Sequence, residues 1–233
     1  MHKTSWLARF PVGLFAIPVG LFALAGAWRR TAVFGWPAEV QEVGTTLAWL
    51  GVAVLGMLLV LYLAKCLRYP HTIRNEFTHP LAGSLMALIS VSVLLCVVYF
   101  GEPFHTGWLV LALSALALQG VIAVRVVAML TTASLPVASV TPALYIPPVA
   151  GGLVGAMALS TLGYPGWAAL LFGMGLASWG LLEVRVLNRL FEGVMPEPLR
   201  PTIGVEMAPP AVATLAAAVI WPALPGDVLI IGL

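Results

Sequence analysis

Charged residues are scarce in this chain. Of its 233 residues, 9% are charged and 61% are hydrophobic, and the mean hydropathy is +1.03. A soluble domain usually carries about 25% charged residues, so a chain this apolar could not cover its own surface with polar groups. The scarcity excludes an ordinary soluble protein and predicts a membrane protein. It also excludes a nucleic-acid-binding protein, because the net charge is only +2 and no run of lysine and arginine is present.

Cysteine is almost absent, and the residue sets of common enzymes and metal proteins are missing. Cys66 and Cys96 lie at or inside apolar segments, where buried thiols acting as small apolar side chains are expected instead of a disulfide framework. The four histidines fall in loops or at helix ends, with no evident serine–histidine pair and no H-E-x-x-H motif. The motif GGLVGA lies inside an apolar segment and does not follow a strand, so it is no phosphate loop. We therefore expect no enzyme, no metal site and no cofactor.

Long apolar runs are what the chain has instead. A helix needs about 20 residues to span a membrane, and the runs are too evenly apolar for barrel strands, which alternate every second residue. The N-terminus resembles a signal peptide, but its apolar run is long for one and more runs follow, so we predict an uncleaved first span. The seven predicted spans are residues 10–28, 43–64, 81–100, 108–130, 143–162, 167–187 and 208–224.

Cations are distributed unevenly around these spans. If the N-terminus is cytoplasmic, nine of the eleven lysines and arginines lie on the cytoplasmic side, and only Arg29 and Arg30 lie outside. This is the positive-inside pattern, and it predicts a multi-pass membrane protein with a cytoplasmic N-terminus; the membrane we expect is a bacterial inner membrane. The cytoplasmic connection 65–80 holds five basic or histidine residues against Glu76. Its positive charge either attracts anions or serves only as a topology signal and a contact for anionic lipids.

Prolines mark a repeat. The odd-numbered predicted spans begin at Pro11, Pro80, Pro142 and Pro209, at spacings of 69, 62 and 67 residues, about one helical hairpin each. Odd spans contain further helix breakers, which are expected to face protein or a water-filled cavity, whereas even spans are rich in leucine and valine. The pattern predicts one all-α transmembrane domain over 1–233, with inner odd helices around a pore and outer even helices. Its hairpins are predicted at about 6–68, 79–131, 142–192 and, incomplete, 208–233.

Several motifs carry a family likeness along the whole chain: FAIPVGLFALAGAW, HPLAGSLMALISVS, PALYIPPVAGGLVGAMALSTLGYPGW, GLLEVRVL and LRPTIGVEMAPPAV. They resemble the tellurite-resistance/dicarboxylate transporter family, which includes the bacterial TehA proteins and the plant slow anion channels. The resemblance implies ten helices in five hairpins with pseudo-fivefold symmetry, and inner helices kinked at prolines around a pore. It also implies a homotrimer in the lipid bilayer that passes small inorganic or organic anions.

Two positions depart from the family pattern. The chain stops at Leu233, just inside an eighth span that would begin at about Gly226, and it has no counterpart of the pore-blocking phenylalanine in the family's ninth helix. We expect a fragment of a longer gene product, the alternative being a shortened protein whose ring cannot close. Relatives often have a proline in the third helix, an inner one, where this chain has Ser90. We expect there either a weaker kink or a hydrogen bond from Ser90 to the backbone.

The breaks in the odd spans are the candidate permeation site. Proline removes a backbone donor and frees a carbonyl one turn earlier, so the breaks either widen a conduit and aim amide dipoles at an anion or merely bend the helices for packing. Small residues such as Gly151 serve either close helix packing or a pore wall without bulky side chains. The predicted pore-lining residues are Pro18, Ser90, Pro147, Pro148, Gly151, Pro209 and Pro210.

Charged residues inside the spans are the remaining candidates, because ionisable groups in membranes are rare and often functional. We expect Glu183 to pair with an arginine of an even helix, Arg125 or Arg185, the alternative being proton or anion coupling. Glu206 is expected to cap the dipole of the seventh span. The leading hypothesis is passive or weakly coupled anion passage. The alternatives are a proton-coupled dicarboxylate or oxyanion transporter that uses Glu183 or Glu206, an intramembrane enzyme and a membrane scaffold.

Overall fold

The computed structural model describes residues 6–30, 37–132, 135–136 and 139–227. Seven helical segments in this part of the chain are long and apolar enough to cross a membrane, which confirms the seven predicted spans and the all-α membrane class. The predicted eighth span, from about Gly226, lies almost entirely outside the described residues. Spans 1 to 7 are Val12–Arg30, Glu39–Arg68, Pro80–Phe100, Thr106–Thr131, Pro142–Thr161, Pro165–Phe191 and Glu197–Ile220.

The even-numbered spans are uninterrupted α-helices, at Ala38–Arg68, Thr106–Thr131 and Pro165–Phe191. Their only prolines lie at or just before the first turn, where a missing N–H has no intrahelical partner to lose. Large apolar side chains such as Leu67, Val124 and Leu181 are exposed along them. Exposed leucine and valine on a continuous helix are suited to contact with lipid, as the sequence predicts for this set.

Every odd-numbered span is irregular: spans 1, 5 and 7 change helix geometry along their length, and span 3 is interrupted once. Without a backbone N–H, proline prevents the regular α-helical hydrogen bond, and the chain turns to the tighter 3₁₀ or the wider π geometry instead. In span 3, which has proline only at its first residue, the interruption is confined to Met86. The segments are Val12–Phe15 (3₁₀) and Ala16–Arg30 (α) in span 1, Pro80–Leu85 and Ala87–Phe100 (both α) in span 3, Pro142–Tyr145 (3₁₀), Ile146–Ala150 (π) and Gly151–Thr161 (α) in span 5, and Glu197–Met207 (3₁₀) and Ala208–Ile220 (α) in span 7.

The odd spans pack in a row. Span 1 contacts span 3, span 3 contacts span 5, and span 5 contacts span 7, while each of the first three odd spans also packs on the even span that follows it. In the described part of the chain the even spans do not pack extensively on one another. Buried residues make up 78% of the most apolar stretch of span 5 and 56% of that of span 3, against 17–28% in the even spans. In spans 1 and 7, at the ends of the row, 28% and 22% of the most apolar stretch is buried, which is within the range of the even spans.

Several boundaries differ from the sequence prediction, among them the start of span 7, at Glu197 instead of residue 208. Span 7 ends at Ile220 and not at residue 224, because Trp221 precedes Pro222 and the residue before a proline disfavours the α conformation. The connection between spans 2 and 3 contains a helix of its own, Pro70–Thr78, which begins with a proline in its first turn. This helix carries Glu76 back towards the end of span 2.

Candidate permeation site

The break in span 1 is covered by span 3. Pro18 is buried in the first turn of the α-helical part of span 1. The Ser92 hydroxyl lies 3.2 Å from the carbonyl oxygen of Phe15 and 2.7 Å from that of Leu88 in its own helix. Seven residues further along both spans, the Tyr99 hydroxyl donates to the carbonyl oxygen of Phe22 at 2.7 Å. Hydroxyl groups of span 3 thus bind the backbone of span 1 beside and beyond its proline.

The break in span 5 is supported from an outer helix. Pro147 is buried and Pro148 half-buried within the π-helical turn Ile146–Ala150. The side-chain amide of Gln119 in span 4 donates to the carbonyl oxygens of Ile146 and Pro147, at 2.9 and 2.7 Å. A side chain on an outer span therefore supplies two donors to the backbone at the point where the prolines supply none.

Small residues of span 5 form its contact with the outer spans. A Cβ atom added to Gly151 would lie 2.2 Å from Cγ of Gln119, and one added to Gly152 would lie 2.8 Å from Cα of Gly175 in span 6. A Cβ at Gly155 would lie 2.5 Å from a side-chain carbon of Leu116 in span 4. These glycines allow close helix approach, the first of the two roles that the sequence left open. A pore-lining role for the backbone of Gly151 stays a prediction.

Tyr145 joins two glutamates at the start of span 5. Its buried hydroxyl lies 2.7 Å from Oε2 of Glu183 in span 6 and 3.1 Å from Oε1 of Glu206 in span 7. The indole N–H of Trp179 donates to the same oxygen of Glu183 at 2.8 Å. A phenol has one proton, so at any moment Tyr145 can donate to only one of the two carboxyl groups.

The predicted ionic contacts of this region take other forms. Among the described residues, the contacts of Glu183 are with Tyr145 and Trp179 and not with an arginine. Glu206 makes no side-chain capping bond to the α-helix that follows it. The Arg125 guanidinium lies 4.9 Å from the centre of the Phe77 ring and packs against Gly83, while Arg185 is exposed. The structure therefore does not bring these candidates together as one charged cluster.

The remaining predicted pore residues lie at different points of the row of odd spans. Ser90 is buried in span 3, and its hydroxyl has no hydrogen-bond partner within the described segments, so the expected bond to the backbone is not observed. Pro209 is buried and Pro210 half-buried, both in the first turn of the α-helix of span 7. Proline is tolerated at that position, so this pair begins the helix instead of interrupting it.

Two functional candidates were not predicted from the sequence. Gln119 is the only amide side chain of span 4 and has apolar residues around it in the sequence, and a polar group in such a stretch of a membrane helix is a signal for a contact with another helix. Lys65 was assigned to the charge of a loop. The structure buries it completely, with its ammonium group paired to Glu76 and donating to the carbonyl oxygen of Phe10 at 2.6 Å.

Comparison with known proteins places these features beside a family. A family model described as voltage-dependent anion channel matches residues 9–228. The tellurite resistance protein TehA homolog of Haemophilus influenzae is 29% identical over 212 residues, which cover 88% of this chain and 62% of the relative. The S-type anion channel SLAH2 of Arabidopsis thaliana is 26% identical over 224 residues, which cover 91% of this chain and 42% of the relative. The chain thus spans less than two thirds of the length of these relatives.

Proposed function

This chain belongs to the voltage-dependent anion channel family, and from that premise we propose that it passes small anions across a membrane. The family match and the two relatives confirm the resemblance drawn from the motifs. One observation carries the proposal for this chain: the odd spans, which contact one another in a row, are interrupted or change helix geometry, whereas the even spans are continuous. Irregular backbone inside a membrane requires protein or water around it, and a row of such helices supports a passage along the odd spans.

The proposed selection of anions comes from the backbone. The α-helical parts of the odd spans begin inside the spans, at Ala16, Ala87, Gly151 and Ala208. Helix N-termini favour negative charge by about 0.3–1 kcal/mol each at exposed sites. Because the odd spans run in the same direction, their positive ends all face the same side. Weak attraction of this kind lets an anion enter without holding it, which a passage needs for release.

The location and assembly of the protein are part of the same proposal. Nine of the eleven lysines and arginines fall on one side of the predicted spans, which supports a cytoplasmic N-terminus, and the bacterial relative supports a bacterial inner membrane. The family resemblance supports a homotrimer. We propose transport and not catalysis, in pores lined by the odd spans around Pro18, Ser90, the prolines of span 5 and the start of the helix in span 7.

Anion flux into liposomes tests the proposed function. The protein, expressed from its complete open reading frame, is purified and reconstituted, and chloride and nitrate fluxes are measured per folded protein. Pro147→Ala restores a backbone donor at the break of span 5 and is expected to change the flux, while Pro165→Ala, at the exposed start of span 6, should leave it unchanged. Well-folded wild-type protein that passes neither anion would contradict the proposal and favour a scaffold.

Proton-coupled transport of a dicarboxylate or an oxyanion is the second candidate, and the contacts of Tyr145 favour it. Its single hydroxyl proton faces Glu183 and Glu206 together, an arrangement in which an added proton on one carboxyl group completes the hydrogen bonding. The double substitution Glu183→Gln and Glu206→Gln should then remove the dependence of malate or oxyanion uptake on an imposed pH gradient. Uptake that keeps its full pH dependence in this double variant would eliminate coupling through these glutamates.

A further inference from the structure

Gln119 is a buried polar side chain near the middle of span 4, and the proposed passage does not by itself require it. Only 3% of its surface is exposed, and the neighbouring residues in the span are apolar apart from Gly120. Burying an amide in apolar surroundings costs free energy unless its polar groups are hydrogen-bonded. Both N–H donors of Gln119 are used, one on the carbonyl of Ile146 and one on that of Pro147.

The orientation of this amide is fixed by its two acceptors. A flipped amide would place the oxygen Oε1 against two carbonyl oxygens, which repel it, so the observed orientation with the nitrogen towards the carbonyls is the favourable one. Oε1 itself is buried and has no partner in the part of the chain that the structure describes. The side chain is therefore held by its contact with span 5 alone.

The contact depends on a glycine and on the π-helical turn. A Cβ atom on residue 151 would overlap the Gln119 side chain, at 2.2 Å from its Cγ and 2.4 Å from its Nε2. The N–H of Gly151 also donates to the carbonyl oxygen of Ile146, five residues along, which is the π pattern. The Ile146 carbonyl thus accepts both from its own helix in π geometry and from Gln119.

A return of this turn to α geometry would move a whole segment. The α pattern closes its turn with one residue fewer than the π pattern, and one residue corresponds to a rotation of about 100°. The chain on one side of the turn would therefore rotate by about 100° relative to the other side. Tyr145 lies immediately before the turn, where its hydroxyl contacts Glu183 and Glu206. The geometry of residues 146–150 therefore decides which face of span 5 is directed towards the neighbouring odd spans.

We infer that Gln119 is a positioning residue for permeation: from the even-numbered span 4 it holds the π-helical turn Ile146–Ala150, and so sets the shape of the passage at span 5. The inference rests on the proposed function. It assigns a role to an outer-span residue that cannot itself line the passage. The competing explanation is that Gln119 only attaches span 4 to span 5, as polar side chains do between many membrane helices.

A graded set of substitutions separates these explanations. Gln119→Glu should be neutral when buried and keep one O–H donor, while Gln119→Leu has a similar size and no donor. Each hydrogen bond lost shifts the equilibrium between turn geometries by about fivefold, so we expect flux per folded protein to fall by up to about fivefold in the first and by more, up to about 25-fold, in the second. The permeability ratio of chloride to nitrate, read from reversal potentials in the same membranes, should shift in both variants. This ratio does not depend on the amount of folded protein, so a purely structural role would leave it unchanged.

Gly151→Ala tests the same contact from the other side. The added methyl group should displace the intact glutamine and shift the permeability ratio in the same direction as Gln119→Leu. In a Gln119→Ala background the methyl group finds space, so adding Gly151→Ala should cause no further shift. Gly120→Ala, where an added Cβ meets no atom within 4 Å, is the matched control and should match the wild type.

The outcomes are distinguishable. Wild-type flux with an unchanged permeability ratio in Gln119→Glu, Gln119→Leu and Gly151→Ala would overturn the positioning role while leaving anion passage intact. A wild-type protein that passes neither chloride nor nitrate would overturn the proposed function and, with it, the inference. If Gln119→Leu does not fold, Gln119→Glu and Gly151→Ala decide the matter.

Discussion

The buried Lys65–Glu76 pair offers a sharp test of how the described fold is held together. The Lys65 side chain has no exposed surface, while 19% of the Glu76 side chain is exposed. The Lys65 ammonium also donates to the carbonyl oxygen of Phe10 at 2.6 Å, so it joins the end of span 2, the helix Pro70–Thr78 and the residues before span 1. Glu76→Ala removes the partner of a charge that has no access to water.

The magnitude follows from the burial of each partner. Removing one member of a buried ion pair typically costs about 3–5 kcal/mol, and because Glu76 lies partly in contact with solvent we expect the lower end, about 3 kcal/mol, for Glu76→Ala. Lys65→Met should cost less, about 1–3 kcal/mol, since Glu76 can be hydrated and mainly the bond to the Phe10 carbonyl is lost. In the double variant there is no buried charge left to neutralise, so its stability should be close to that of Lys65→Met.

Equilibrium unfolding in mixed micelles of increasing SDS fraction measures these differences. The two single variants and the double variant form a cycle whose coupling free energy we expect to be about 3 kcal/mol. Arg74→Ala, an exposed position on the same short helix, is the control and should stay within about 0.5 kcal/mol of the wild type. Additive effects of the two single substitutions would refute the reasoning, because they would mean that the pair does not act as a unit.

Three further substitutions test other contacts by the same unfolding measurement. Gly152→Ala pushes a methyl group against the backbone of span 6 and should destabilise the protein by about 1–3 kcal/mol. Gly173→Ala, with open space around it, should not destabilise the protein, and equal effects of the two substitutions would contradict the close packing. Ser92→Ala removes a hydrogen bond between spans 1 and 3 and should lower the free energy of unfolding by about 0.5–1.5 kcal/mol. Ser114→Ala, whose hydroxyl is exposed, should lower it less, and the reverse order would argue against the bond between the spans. Tyr145→Phe leaves two carboxyl groups without their shared donor and should cost about 1–3 kcal/mol, and an unchanged stability would show that water replaces the hydroxyl.

Much of the fold could be predicted from the sequence because lipid imposes simple rules. The apolar runs identified all seven spans, and the positions of proline identified which spans are irregular. Whether a break becomes 3₁₀ or π was not predictable, since proline only removes a donor and the replacement depends on what else can reach the freed carbonyls. In span 5 that group is Gln119, which is 27 residues away from Ile146 in the chain.

The ionisable residues show where sequence reasoning is weakest. Glu183 was expected to pair with an arginine, yet its observed donors are a phenol and an indole. Neutral donors can enter an apolar interior at a smaller desolvation cost than a guanidinium. Trp179 lies one turn from Glu183 on the same span, whereas Tyr145 reaches it only through the packing of span 5 on span 6. Lys65 was likewise predicted to belong to a charged loop. The sequence does not reveal its burial, since that depends on the helix Pro70–Thr78 bringing Glu76 back to it.

The two hydroxyl contacts between spans 1 and 3 restrict how these helices can move. The hydrogen bonds from Ser92 to Phe15 and from Tyr99 to Phe22 both join residues that are 77 positions apart in the chain. The two helices are therefore held in one register at two points, seven residues apart. Sliding one helix along the other by a turn, about 5.4 Å, would break both hydrogen bonds between the spans at once, and only Ser92 would keep an acceptor, the Leu88 carbonyl of its own helix. We therefore expect spans 1 and 3 to move together, so that an opening or closing motion would occur where this pair contacts the other spans.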